Sequence, residues 1–166
     1  NFMDNSIKDI FDLKKRVYII TGGAGFLGYK YAEAILEYNG IPVLFDVNSR
    51  VTEKAEALQK KYNKPCLGLI VDITNEQEIE RGVSKTLESF GSIYGLINNA
   101  ANNPKTRTEE QTAQMHTGRF ETFSKEMWNS DMYIGITGAF LMCKIVGPIL
   151  VKEGEGLFLE FKQTLR

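Results

Sequence analysis

Five strand-forming residues, Val17 to Thr21, run directly into a segment holding Gly22, Gly23, Gly25 and Gly28. Such a run followed by Gly-x-x-Gly-x-x-Gly predicts a buried strand that turns sharply into a helix. Glycine tolerates positive φ in the turn and removes the Cβ where backbone must come close. The turn brings the first N–H groups of the helix, those of Phe26, Leu27 and Gly28, together with the positive end of the helix dipole, toward any anion in front of it. Glycine-rich turns also occur without a ligand, so at this point phosphate binding and a plain strand-to-helix connection both stay open.

A second feature favours the phosphate. Asp46 closes the apolar run Ile41 to Phe45 and lies about 20 residues past Gly25, the spacing at which a dinucleotide fold places an acid against the ribose hydroxyls. A carboxylate repels the additional 2′-phosphate of NADP, and the residues after it are Val47, Asn48 and Ser49. NAD is therefore expected over NADP, with Arg50 the one nearby cation able to reverse the preference. Asp46 also reads as an ordinary turn residue at a strand end.

Short apolar runs alternate with longer amphipathic ones along the rest of the chain, the pattern of β/α units. Strands are expected at Val17–Thr21, Ile41–Phe45, Leu67–Val71, Gly95–Asn98 and Leu157–Phe161. Helices are expected at Phe26–Tyr38, with Leu27, Tyr31, Ala34, Ile35 and Tyr38 facing inward, at Thr52–Tyr62 with Ala55, Leu58 and Tyr62, and at Glu76–Phe90 with Ile79, Val83, Leu87 and Phe90. A last helix from Ser124 to about Val151 carries Trp128, Ile134, Ala139, Leu141, Met142 and Ile145. Its Gly135, Gly138 and Gly147 suggest close neighbours, and Pro148 should kink or end it. The stretch Asn99–Thr122 is long for a connection.

These elements predict an α/β fold: one domain over residues 1–166, a three-layer, Rossmann-like, doubly wound parallel sheet of about five strands in the order 3-2-1-4-5. The ligand crevice falls between strands one and four, where the order reverses. The open outer edge of the fifth strand and the uncovered face of the Trp128 helix point to a homo-oligomer.

Twenty basic against 21 acidic residues leave a formal net charge of −1, which gives no basic surface for nucleic acid. Lys14, Lys15 and Arg16 read as a solvated charge run. Cys66 and Cys143 read as reduced, packed thiols, the N-terminal residues lack the apolar core of a signal peptide, and no run is expected to reach the roughly 18 apolar residues of a membrane span. A cytoplasmic, soluble protein is expected. His116 has no partner at metal-ligand spacing, so no metal is expected, and Trp128 and the phenylalanines are expected in the core.

Taken together, TGGAGFLG, Asp46, the VDIT of residues 71–74, the LINNAA of residues 96–101 and the pattern from Trp128 to Phe140 resemble the short-chain dehydrogenases/reductases, from about Phe11 to Gly156. The resemblance implies NAD(P)-dependent hydride transfer on an alcohol or ketone. It implies that Asp72 contacts the adenine amino group, that the Ile73 backbone flanks the ring, and that Asn98, Asn99 and Ala100 line the cofactor. The glycine spacing is similar to the extended, sugar-nucleotide branch of the family. The mixture of features is similar to reductases associated with bacterial surface-sugar and flagellin-glycan modification. Gly135 stands where the wider family usually keeps a catalytic asparagine.

The family's proton donor is a tyrosine with a lysine four residues on, the lysine lowering the tyrosine's pKa. None of the seven tyrosines has a lysine at that spacing. The family's serine should follow the fifth strand, where this chain reads GLFLEFKQTLR. The expectation is therefore a chain truncated before the catalytic segment, by a frameshift or as a gene fragment, with no catalytic residues and impaired turnover. The alternatives are a non-catalytic NAD-binding or interaction module, and a fragment of a nucleotide-sugar epimerase or dehydratase.

Overall fold

The computed structural model describes residues 10–102 and 123–160. In chain order the elements are β1 (Val17–Thr21), α1 (Phe26–Glu37), β2 (Ile41–Asp46), α2 (Val51–Tyr62), β3 (Leu67–Ile70), α3 (Glu76–Phe90), β4 (Gly95–Asn98), α4 (Lys125–Met132), a π-helical segment (Tyr133–Gly138), α5 (Ala139–Glu153) and β5 (Leu157–Glu160). The five strands form one parallel sheet in the order β3-β2-β1-β4-β5. The doubly wound α/β architecture is the one the sequence implies.

β1 is buried along its whole length because it occupies the sheet centre with helices on both faces. Its alternate residues feed two cores. Val17 and Ile19 join Phe45, Val83, Leu96, Met142 and Val146 on one face. Tyr18 and Ile20 join Leu36, Leu44, Leu58 and Ile97 on the other. α3 has clean ends: Asn75 accepts from the N–H groups of Gln77 and Glu78, and Gly91 at φ 79° closes the helix.

Several expectations need correction. α1 buries Gly28, Ala32, Glu33, Ile35 and Leu36, whereas Leu27 and Ala34 face solvent and Tyr38 is half-buried. Two apolar stripes compete on this helix, and the docking of Gly28 onto the glycine turn selects the other one. Glu33 lies among buried groups because Lys30 and Lys61 each reach it at 2.6 Å.

Pro148 does not end the last helix, which is continuous over Lys125–Glu153. The proline is exposed, so the Lys144 carbonyl it leaves without a helical donor can meet water. By length and composition this helix is long and apolar enough to cross a membrane, where the sequence reading expects no such run. In the fold it lies on the sheet, with Leu141, Met142, Val146 and Leu150 buried.

Trp128 is 41% exposed rather than packed in the core, and Phe11, Phe26, Phe140 and Phe158 are exposed as well. Arg16 is not simply solvated: it pairs with Glu155 at 2.9 Å and stacks on the Tyr94 ring at 4.0 Å, joining the start of β1 to the approach to β5. Most of the 99–122 connection, His116 within it, and the expected strand end Phe161 lie outside the described residues.

Candidate functional site

The glycine turn is built by backbone contact. Gly22 has φ +65°, and a Cβ on it would lie 2.9 Å from the Ala100 Cα. A Cβ on Gly28 would lie 2.3 Å from the Gly22 carbonyl oxygen and 2.8 Å from the Gly23 Cα. Gly25 would tolerate one better, at 3.1 Å from that same oxygen. The Gly25 N–H donates to the Gly22 carbonyl at 3.0 Å, and the Gly23 N–H donates to Phe45 at 3.1 Å, so the turn is fastened to β2.

Gly25 caps α1 without any side-chain acceptor, and the first turn has no acid. The opening N–H groups of an α-helix have no intrahelical partner, so those of Phe26, Leu27 and Gly28 are donors awaiting an acceptor. The side chains of Phe26 and Leu27 point outward, 79% and 48% exposed.

Asp46 sits at the tip of β2 beside this turn. Its Oδ2 accepts the Ala24 N–H and its Oδ1 the Asn48 N–H, each at 2.9 Å. Each oxygen keeps a further lone-pair direction for a ligand hydroxyl. Val47 beside it is 67% exposed. The cation that hydrogen-bonds the turn is not Arg50, whose backbone N–H donates to Asn48 and whose carbonyl accepts from the Lys54 N–H. It is Lys54, whose ammonium donates to the Ala24 carbonyl. The sequence reading missed Lys54 because it sits on α2, eight places from Asp46, and only folding brings it to the turn.

Across the switch point, Thr21 is the second residue missed. Its buried hydroxyl accepts the N–H groups of Asn99 and Ala100, both at 3.0 Å, and faces the Ile97 carbonyl at 3.4 Å. The Asn99 amide returns to the carbonyls of Thr21 and Gly22 at 3.0 and 3.3 Å. The threonine preceding the first glycine was the available signal. Thr21 and Asn99 thus lock the end of β4 to the glycine turn, with Ala100 against Gly22.

Asn98 is buried, and its amide donates to Glu160 at 2.7 Å and to the Cys143 sulfur at 3.4 Å, between β4 and β5. Its Oδ1 has no partner among the described residues. The Cys143 thiol is pushed above its usual range by burial, then by its contact with Glu160. Asp72 uses Oδ1 to accept the backbone N–H and hydroxyl of Thr74 at 2.8 and 2.7 Å, and Ile73 is 7% exposed.

Along the long helix, the π-helical segment interrupts the regular spacing. Gly138 packs on Ile73, where a Cβ would be 2.6 Å from its Cδ1, but Gly135 faces open space with nothing within 4 Å. The backbone there is present without the asparagine side chain that the resemblance would place on it. Among the described residues no three His, Cys, Asp or Glu side chains gather as a metal site. A shallow depression of about 190 Å³ at the β3 edge, lined by Leu69, Ile70, Glu78 and Arg81 among others, includes none of the turn residues.

The predicted residues Gly22, Gly25, Phe26, Leu27, Gly28, Asp46, Val47, Asn99 and Ala100 thus converge at the carboxyl ends of β1, β2 and β4, with Asp72 and Ile73 on the turn after β3. Uncapped amides, a cradle that a Cβ would fill and a flanking carboxylate fit a dinucleotide.

Comparison with known proteins agrees with this geometry. The family described as short chain dehydrogenase matches residues 16–160. The chain is 28% identical over 153 residues to a 2,5-dichloro-2,5-cyclohexadiene-1,4-diol dehydrogenase of Sphingobium indicum, covering 92% of this chain and 56% of that one. It is 27% identical over 146 residues to an NAD-dependent glycerol dehydrogenase of Listeria innocua, covering 88% and 52%. The solved NADPH-dependent 3-quinuclidinone reductase of Rhodotorula rubra shares the fold with TM-score 0.74 at 22% identity, covering 95% of this chain and 56% of that chain. The chain therefore spans about half the length of the relatives it matches. With its strand order, its glycine turn and a match running from Arg16 to Glu160, the chain belongs to the short chain dehydrogenase family.

Proposed function

We propose that these 166 residues form the dinucleotide-binding part of an NAD(P)-dependent oxidoreductase that transfers hydride between the cofactor and an alcohol or ketone, with NAD preferred. The observation that carries the reading is the contact between Asp46 and the Ala24 N–H at 2.9 Å, which sets a carboxylate beside the uncapped start of α1. A diphosphate is held by the amides of Phe26, Leu27 and Gly28, and the adjoining ribose hydroxyls by Asp46. Asp72, Ile73, Asn99 and Ala100 are assigned to the walls of the same crevice, and buried Asn98 to the joint behind it.

The nicotinamide supplies the hydride chemistry when bound. The chain's own residues bind and orient, and the rigid Thr21–Asn99 lock keeps the two sides of the crevice in register. No tyrosine with a lysine four residues on is present, and Gly135 has no side chain to relay a proton. The proposal therefore assigns cofactor binding to these residues. A second reading, a non-catalytic NAD-binding module, is supported by Gly135, which faces open space without a side chain; sugar-derived carbonyls head the substrates that would discriminate.

Isothermal titration calorimetry with NAD⁺ and NADH tests the first part: binding in the micromolar range is expected, and Asp46→Lys should abolish it. Absence of heat from both, with the folded state verified by circular dichroism, sinks the proposal. NADH oxidation over a panel of carbonyls separates the two readings.

We also propose a homo-oligomer, in a reducing cytoplasm where Cys66 and Cys143 stay free. Ile136 at 62%, Phe140 at 61% and Val151 at 82% exposure, beside the half-exposed β5, support it. A monomeric mass by light scattering would count against it.

A further inference from the structure

We propose that Lys54 makes the site tolerant of a 2′-phosphate, so that the chain binds NADP as well as NAD despite Asp46. The inference rests on the dinucleotide reading above and concerns selectivity within that site. Ala24 is held at both of its backbone polar groups, its N–H by Asp46 at 2.9 Å and its carbonyl by the Lys54 ammonium. One residue thus separates carboxylate from ammonium, within about 10 Å, a Debye length at 0.1 M salt.

A 2′-phosphate adds close to two negative charges beside a carboxylate, which by itself excludes it. Lys54 changes that balance. It reaches the turn from the first turns of α2, it is only half-buried, and its ammonium lies 5.7 Å from the Tyr29 ring centroid. Its recorded hydrogen-bond acceptor is a neutral carbonyl. An ammonium has three donors on a flexible stem, so it can keep or exchange that carbonyl for a phosphate oxygen. A charge-assisted bond is roughly twice as strong as a neutral one. Arg50, the cation closer in sequence to Asp46, is held among the described residues through its backbone alone, its N–H on Asn48 and its carbonyl by the Lys54 N–H.

The test measures dissociation constants for NAD⁺ and NADP⁺ by calorimetry on the full chain, wild type beside Lys54→Met, Lys54→Arg and Arg50→Ala, with folding verified by urea midpoint. Expected is a loss of about tenfold or more in NADP⁺ affinity for Lys54→Met, with NAD⁺ changed less than about threefold and Lys54→Arg retaining NADP⁺. The wild-type NADP⁺ affinity should also fall more steeply with salt than the NAD⁺ affinity. Equal losses for both dinucleotides would make Lys54 a strut of the turn and overturn the proposal. So would a selective loss in Arg50→Ala alone, or no NADP⁺ binding by wild type. Wild type binding neither dinucleotide would instead remove the underlying reading; NAD⁺ binding with an unchanged ratio in Lys54→Met removes this inference alone.

Discussion

Replacing Gly28 by alanine should damage both stability and cofactor binding through a single contact. The new Cβ would stand 2.3 Å from the Gly22 carbonyl oxygen, about 1 Å inside ordinary van der Waals distance. That oxygen belongs to backbone and accepts both the Gly25 N–H at 3.0 Å and the Asn99 amide at 3.3 Å, so it cannot retreat without loosening both. Overpacking of this kind costs about 1–3 kcal/mol, and weakened hydrogen bonds add about 1 kcal/mol. Alanine's better helix propensity returns about 1 kcal/mol. The net loss is about 1–3 kcal/mol, a fall in Tm of roughly 3–10 °C for a chain of this size. Urea unfolding followed by circular dichroism gives the stability, and calorimetry with NAD⁺ gives the affinity. Gly25→Ala is the internal comparison: its Cβ would be 3.1 Å from the same oxygen, so its stability loss should be clearly smaller. A Gly28→Ala protein with the wild-type urea midpoint and wild-type NAD⁺ affinity would refute the cradle argument.

Thr21→Val should cost about 2–4 kcal/mol, because it strips the acceptor from two backbone N–H groups at once, while Thr21→Ser should recover most of it; equal losses in the two variants would show that the hydroxyl is idle. The carboxyl of Glu33 is held at about 2, below its ordinary 4.5, by hydrogen bonds from Lys30 and then Lys61. Its contribution is therefore complete above pH 4.5 and fades as pH falls from there toward 2. Glu33→Gln should be less stable than wild type by about 1 kcal/mol near neutrality, with the gap closing over that acid range; a gap independent of pH refutes the pairing. Burial pushes the Cys66 thiol up to about 12. At pH 8 a thiol reagent should leave it unlabelled in the native protein and label it on unfolding, and rapid native labelling mapped by mass spectrometry would contradict the burial.

Strands were legible because period and punctuation agree in them: the Val17–Thr21 run stops at glycine, and Gly95–Asn98 is bounded by turn residues on both sides. The site residues on one short turn were legible for the same reason, since Gly22, Gly25 and Gly28 need no tertiary context to declare a turn. Helix faces were less so. In α1 the choice between the Leu27–Ala34 stripe and the Ala32–Leu36 stripe is settled by how Gly28 docks, a contact with a turn rather than a periodicity. Lys54 and Thr21 escaped notice for a related reason: one is brought in by a different helix, and the other looks like any β-branched strand residue until its hydroxyl meets two amides. Pro148 misled because its effect depends on whether the carbonyl it abandons can find water.

The hydrogen bond from the Asn99 backbone to Thr21 spans 78 residues of chain. The central strand is thus made early and completed late. During synthesis β1 can pair with β2 as soon as both emerge, but its other edge must wait until β4 leaves the ribosome, so the nascent protein passes through a half-sheet with a sticky flank. Long-range parallel pairing of this type folds slowly, and protection of β4 amides should lag that of β2 in pulse-labelled hydrogen exchange during refolding. Simultaneous protection of the two would mean that the sheet closes in one step.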